Sequence, residues 1–258
     1  MDCNLALTAN TRIKTLGLRA LGKVLRLIGL LPPGCVYFMS PLDFAVARQT
    51  MIECQIRTWD VLDQRVLDLI ARLPREDFVP PAHRGIAFVD MNLPLGHGET
   101  MMAPKLEARL LQELEITPTD KILEIGTGSG YMTALLASQG RHVVSVEIIP
   151  EFTAGAAIKL AHHGIRNVTL EVGDGARGWD RQKPYDVILI TGSLPVLPES
   201  FRESLAGGGR LIAIVGKSPA MEVKRIRRVA AHSFNEDSLF ETVLPPLRHA
   251  IEPARFVF

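Results

Sequence analysis

The stretch from Lys121 to Glu147, KILEIGTGSGYMTALLASQGRHVVSVE, constrains the fold more than any other part of the chain. Lys121 to Ile125 is a short apolar run of the kind that forms a buried parallel strand. It stops at Gly126-Thr127-Gly128-Ser129-Gly130. Three glycines in five residues let the main chain turn sharply and approach a ligand with no side chain in between. The helix after the turn offers its first N–H groups, which lack intrahelical partners. The pattern predicts that helix over Tyr131 to Ser138 and a second apolar strand over His142 to Val146. At the tip of the second strand stands Glu147, roughly 20 residues beyond the first glycine, where an acid accepts hydrogen bonds from both hydroxyls of a ribose.

Two cofactor classes use such a unit, and the glycine spacing separates them. Dinucleotide enzymes favour G-x-G-x-x-G with a pyrophosphate on the helix N-terminus. Here the third glycine comes one residue early, and the acidic Glu124 stands two residues before the first. A carboxylate there would repel a pyrophosphate and suits a cofactor with an amino group. S-adenosyl-L-methionine has that amino group, a sulfonium cation and a ribose. The pattern E-x-G-x-G-x-G, with an acid at the second strand tip, resembles motifs I and II of the class I methyltransferases.

Beyond Glu147 the βα alternation continues. A helix is expected over Glu151 to His163, a strand over Val168 to Val172, and a turn at Gly173-Asp174-Gly175, where an Asp can accept from an adenine amine. Tyr185 to Thr191 reads as the central strand, with Thr191-Gly192-Ser193 on the pocket floor. Gly207-Gly208-Gly209 is expected to turn into a strand over Arg210 to Val215. The tail reads as a helix near Ala220 to Ala230, a strand near Ser238 to Leu244 and a final strand at Arg255 to Phe258. The fold class is therefore α/β, a doubly wound, mostly parallel, seven-stranded Rossmann-like sheet of five parallel strands and a terminal hairpin.

In front of the sheet, residues 43–116 read as a helical cap with an active-site loop. Apolar residues from Phe44 to Ile56 recur at helical spacing up to Arg57, and a second helix comes next with Asp60 or Asp63 as N-cap. After Leu73-Pro74-Arg75-Glu76-Asp77-Phe78-Val79-Pro80-Pro81 comes a loop ending in Leu93-Pro94-Leu95-Gly96-His97-Gly98-Glu99-Thr100-Met101-Met102-Ala103-Pro104. Pro104 suits the first turn of a helix running to about Glu115. Residues 43–258 form one domain on this reading, its sheet portion spanning 117–258.

Residues 1–42 differ in character from the rest of the chain. Arg12, Lys14, Arg19, Lys23 and Arg26 are interleaved with apolar residues, and after Asp2 no acid appears until Asp43. The segment reads as a disordered extension, or as a start upstream of a natural one at Met39, ahead of an amphipathic basic helix or a targeting segment. Its charges break the apolar run too often for it to span a bilayer. Lys plus Arg number 29 against 28 Asp plus Glu, so no nucleic-acid partner is expected. Cys3, Cys35 and Cys54 form no C-x-x-C pair, which argues against a disulfide framework or a metal site and for a reducing cytoplasm.

From about Asp43 to Leu247 the chain resembles the protein-L-isoaspartate O-methyltransferase family. The matching pieces are Pro74 to Pro80, the P-L-G-H-G-E-T segment before Met101, Leu123 to Tyr131, Val172 to Gly175, Pro184 to Asp186 and Gly208 to Leu211. The resemblance implies methyl transfer from S-adenosyl-L-methionine to the carboxylate of isoaspartyl residues in damaged proteins or peptides. It further implies that Glu147 holds the ribose, Gly126 and Gly128 the methionine end, and Asp174 with Gly175 the adenine. Glu124, Thr127, Ser129, Gly130 and Ile148 complete the expected cofactor set. Thr100 and Met102 would line the methyl-transfer site.

One position departs from the family. Its pattern there is Thr-Ile-Ser, with the Ser hydroxyl helping to hold the substrate carboxylate, whereas this chain has Thr100-Met101-Met102. A thioether cannot donate that hydrogen bond. Two other readings therefore accompany the first: a relative acting on another carboxylate or hydroxyl, and a cofactor-binding protein without turnover. His97 reads as a loop hydrogen-bonder. Arg248, after the Pro245-Pro246-Leu247 turn, reads as a solvated charge within reach of an acidic substrate.

Overall fold

The computed structural model describes residues 41–253. The expectations for residues 1–40 and for a strand at Arg255 to Phe258 lie outside the described residues. Helix α1, Pro41–Met51, begins two residues ahead of the expected domain start and runs on through a π turn, Ile52–Ile56, and a 3-10 turn, Arg57–Trp59. Helix α2, Gln64–Arg72, is capped by Asp63, whose side chain accepts from the Arg65 N–H, and buries Val66, Leu67, Leu69 and Ile70. The segment expected to be one long loop contains two short 3-10 turns and a hairpin of β1, Leu93–Gly96, and β2, Glu99–Met101. Its tip places Gly98 at φ 83°, which glycine adopts freely, and holds His97 in the left-handed region at φ 54°. Helix α3, Pro104–Glu113, starts on the proline as expected.

The sheet then builds as β3 (Lys121–Ile125), α4 (Tyr131–Ala137), β4 (His142–Glu147), α5 (Pro150–His162), β5 (Val168–Val172), β6 (Tyr185–Leu194), α6 (Glu199–Glu203), β7 (Leu205–Lys217), β8 (Ala220–Ala230) and β9 (Ser233–Glu241). The strand order is β5-β4-β3-β6-β7-β8-β9, with β6 in the middle. The first five of these are parallel neighbours, and β8 and β9 add antiparallel to the edge. The chain leaves β3 towards β5 and returns beside β3 as β6, so the order reverses between β3 and β6. A ligand crevice opens at that point, outside the carboxyl ends of the strands.

Strand geometry sorts the core into two layers. Ile122, Val143, Val187, Leu189, Ile212 and Ile214 join one cluster, which takes in the buried residues of α2, α3 and α4. Leu123, Ile125, Val144, Val146, Ile188, Ile190, Leu211 and Ala213 join the other. Successive side chains point to opposite faces, and both faces are covered, which is why these strands read as continuous apolar runs. The front section therefore packs mainly on a face of the sheet, and its β1–β2 hairpin reaches the crevice.

Two expectations are corrected. Ala220–Ala230 is a strand, not a helix. Met221 and Val223 enter the first core cluster and Ile226 the second, so the covered face changes along β8 and leaves an apolar spacing that imitates a helix. Gly207 to Gly209 lie inside β7, where its pairing with β6 shifts register between Tyr185 and Val187, with Gly208 at φ 77°. The expected turn is thus an irregularity within the strand.

Arg210 on β7 fastens the loop after α3 to the sheet. Its nearly buried guanidinium donates to Asp120 at 2.6 Å and to the carbonyl oxygens of Leu114 and Glu115. Arg210→Met is expected to lower unfolding free energy by about 3 kcal/mol in urea titration, because it leaves Asp120 with only the Thr117 N–H as a donor and two carbonyls with none from the guanidinium. A loss below about 1 kcal/mol would show that water replaces the guanidinium.

Candidate active site

The crevice at the β3/β6 junction is lined by the glycine turn, the tips of β4 and β6, the turn after β5, the Thr100 to Met102 segment, and residues 244–248. The turn is held from three sides. The Gly126 N–H donates to the Val146 carbonyl at 2.8 Å, and the Thr191 hydroxyl donates to the Gly126 carbonyl at 2.7 Å. A Cβ on Gly126, whose φ is 99°, would lie 2.3 Å from that hydroxyl, so no other residue fits. Lys159 of α5 donates to the carbonyls of Ser129 at 3.3 Å and Phe78 at 2.7 Å, and burial lowers its pKa.

Glu147 is nearly buried, and its carboxylate is fixed by the main chain. One oxygen accepts from Gly128 N–H at 2.8 Å and the other from Ile149 N–H at 3.0 Å. The acid at the tip of β4 is thereby locked to the glycine turn, with its remaining lone pairs facing the crevice. Asp174 accepts from Ala176 N–H at 3.0 Å and lies 2.9 Å from a ring nitrogen of His249. Burial raises its pKa, but the Ala176 and His249 hydrogen bonds outweigh it and hold the carboxyl below its ordinary value.

The opposite wall is the end of β2. Thr100 is half-buried, and its hydroxyl has no partner among the described residues, while Met101 and Met102 are buried. The Met102 carbonyl accepts from Arg75 at 2.7 Å, and the Ala103 N–H donates to Asn92 at 2.9 Å. Arg75, only 1% exposed, also donates to the Ala87 carbonyl at 2.9 Å, pairs with Glu107 and lies over the Tyr131 ring. Burial pushes the Glu107 carboxyl up to about 8, with the Arg75 charge pulling the other way.

Of the residues expected at the site, Thr100, Met102, Gly126, Thr127, Gly128, Ser129, Glu147, Ile148, Asp174 and Gly175 share this crevice. Two do not. Gly130 serves packing, since a Cβ there would come within 2.9 Å of Ala156. Glu124 is fully buried below the turn, because it lies on the same face of β3 as Ile122 and points into the core. One of its oxygens accepts from Thr133 at 2.5 Å and Ser145 at 2.6 Å. Burial pushes its pKa up to about 8 against those hydrogen bonds, so it is mostly neutral at pH 7 and offers no charge to a cofactor amine. Thr191 and Gly192 reach the crevice, whereas Ser193 turns inward and donates to the Leu244 carbonyl at 2.8 Å. The strap from Leu244 to Leu247, together with Phe152 and Met132, is not legible in the sequence as site lining, since only the Pro245-Pro246 turn and Arg248 after it hint that the chain returns there.

Among the described residues acids dominate the charged lining: Glu99, Glu147 and Asp174, with Glu107 paired to the buried Arg75, against the single cation Arg248. That donor set, with main chain exposed at Gly126 and Gly128, fits a ligand that carries positive charge, a ribose and an adenine. Fold and site together are those of the Rossmann-like methyltransferases that use S-adenosyl-L-methionine.

The family model described as Protein-L-isoaspartate(D-aspartate) O-methyltransferase matches residues 46–250. The Koribacter versatilis protein named protein-L-isoaspartate O-methyltransferase is 37% identical over 214 residues, covering 82% of this chain and 96% of its own. The Methanoculleus marisnigri protein of that name is 41% identical over 182 residues, covering 70% and 83%. A solved protein-L-isoaspartate O-methyltransferase is 25% identical, with a TM-score of 0.66 over 77% of this chain and 65% of that one. A Plasmodium falciparum structure in complex with S-adenosyl-L-homocysteine is 19% identical, with a TM-score of 0.66 over 78% and 98%, a likeness of fold. This chain belongs to the protein-L-isoaspartate O-methyltransferase family.

The two glutamates are expected to behave oppositely. Glu147→Gln should weaken S-adenosylhomocysteine binding by about tenfold to a hundredfold in isothermal titration, while Glu124→Gln leaves it within about twofold. Equal losses would mean that Glu124 reaches the ligand. Glu124 also has a pH signature, since its pKa rises from 4.5 to about 8 on folding and the folded state therefore holds an extra proton between those values. Its contribution to stability is complete below about pH 4.5 and is lost as pH rises to about 8. In denaturation series Glu124→Gln should gain on the native chain across that window and level off above it. A difference independent of pH would show Glu124 to be charged in the fold.

Proposed function

We propose that this chain methylates the free carboxylate of isoaspartyl residues in proteins, with Glu147 holding the cofactor ribose and Thr100 to Met102 facing the acceptor. The observation that carries this reading is the placement of the glycine turn with Glu147 and the end of β2 on opposite walls of one crevice. When bound, S-adenosyl-L-methionine supplies an electrophilic methyl group on a sulfonium. Gly126 and Gly128 present main chain to its methionine end, and Asp174 with Gly175 lies where an adenine is recognised.

A carboxylate acceptor is ionised at neutral pH and needs no general base. The chain's task is then positioning and exclusion of water, contributions worth several kcal/mol. Arg75 holds the Met102 carbonyl in place, the Thr100 hydroxyl is available to donate to the acceptor, and Leu244 to Leu247 cover the floor with apolar surface. Met102 supplies packing where the family pattern has a hydroxyl. We place the enzyme in the cytoplasm on its cysteine pattern. No helix among the described residues is long and apolar enough to cross a membrane.

Transfer of a labelled methyl group to an isoaspartyl peptide, compared with its aspartyl twin, tests the reading. Strong preference for the isoaspartyl peptide is expected. Equal labelling of both would move the substrate to another acceptor, and cofactor binding with no labelling across acceptors would leave a binding protein.

A further inference from the structure

We propose that Arg248 is the residue that binds the acceptor carboxylate and selects a charged acceptor over a neutral one. The inference rests on the isoaspartyl reading above and goes beyond it by assigning the charge recognition to one side chain. An anionic acceptor entering this crevice meets Glu99, Glu107, Glu147 and Asp174, and among the described residues the lining holds one cation, Arg248. Glu107 has its own buried partner in Arg75, so that arginine is committed inward. Without a facing cation, a carboxylate beside Glu99 would be repelled by like charge at short range.

The geometry suits Arg248 to that task. It stands just after the Pro245-Pro246-Leu247 turn, which is pinned to the end of β6: the Ser193 N–H donates to the Pro245 carbonyl and the Leu247 N–H donates to the Ser193 carbonyl, each at 2.9 Å. The Arg248 side chain then reaches the β1–β2 hairpin, where Nε donates to Glu99 at 2.7 Å and Nη2 donates to the His97 carbonyl. These two bonds fix the plane of the guanidinium against the hairpin that carries Thr100. Nη1 has no partner among the described residues, and the side chain is 41% exposed at the mouth of the crevice. Two of the five N–H donors of an arginine are carried on Nη1 and remain free for an incoming carboxylate. The contact with Glu99 holds those donors in position, at the cost of part of the positive charge.

Steady-state kinetics with an isoaspartyl peptide, and competition by the same peptide carrying the neutral amide in place of the carboxylate, test the assignment. Arg248→Gln is expected to raise KM about tenfold to a hundredfold and to abolish the preference of the native enzyme for the charged peptide over the amide. Arg248→Lys should recover part of both, since it restores the charge without the planar fork. Glu99→Gln should lower KM, because it removes the competing acid. Binding of S-adenosylhomocysteine should stay within about twofold in all three, because charged groups at the rim act on their own ligand. Arg248→Gln that keeps KM and the preference, or Glu99→Gln and Arg248→Gln that raise KM alike, would overturn the assignment and leave Arg248 a latch between strap and hairpin. A native enzyme that labels isoaspartyl and aspartyl peptides equally would instead overturn the substrate reading, and the role of Arg248 with it.

Discussion

The Thr100 to Met102 wall of the crevice depends on one buried guanidinium. Arg75 donates to the Ala87 and Met102 carbonyls and pairs with Glu107, and its flat face lies over Tyr131 at the start of α4. Three segments of the front section are thereby joined to the helix that leaves the glycine turn. Removing one partner of a pair so buried typically costs about 3–5 kcal/mol, because the other charge is left without compensation. The energetic consequence matters less than the geometric one: the Thr100 to Met102 wall is referenced to the same helix as the cofactor turn.

The cofactor side is built on different physics. Parallel pairing of β3 with β4 and β6 sets the spacing of the strand ends, and the Glu147 carboxylate then closes the gap by accepting the Gly128 N–H. Acid and turn thus move as one unit. The crevice between these two walls is strongly acidic, a field that suits a cationic methyl donor and opposes an anionic acceptor. Arg248, delivered by the strap after β9, adds a positive charge to that lining beside Glu99.

The motif residues are legible for a physical reason. Glycines at positive φ, the strand tips and the Asp63 cap are local requirements, so the places of Gly126, Gly128, Glu147 and Asp174 on the crevice follow from spacing. Glu124 is misplaced by the same reading because its distance from the turn is visible in sequence, whereas the face of the strand it occupies is not. The helix expected at β8 fails for a related reason, because a strand whose covered face changes along its length loses a simple period of two.

By itself, the sequence determined the βαβ unit, the cofactor class and the family, since each rests on short-range chemistry or on residue identity. Only the tertiary structure decided which acids face the crevice, that Arg75 holds the Met102 carbonyl, and that Arg248 pairs with Glu99 from 149 residues away. Those contacts join segments with no local signal in common, and they exist only once strand order and pleat have brought the segments together.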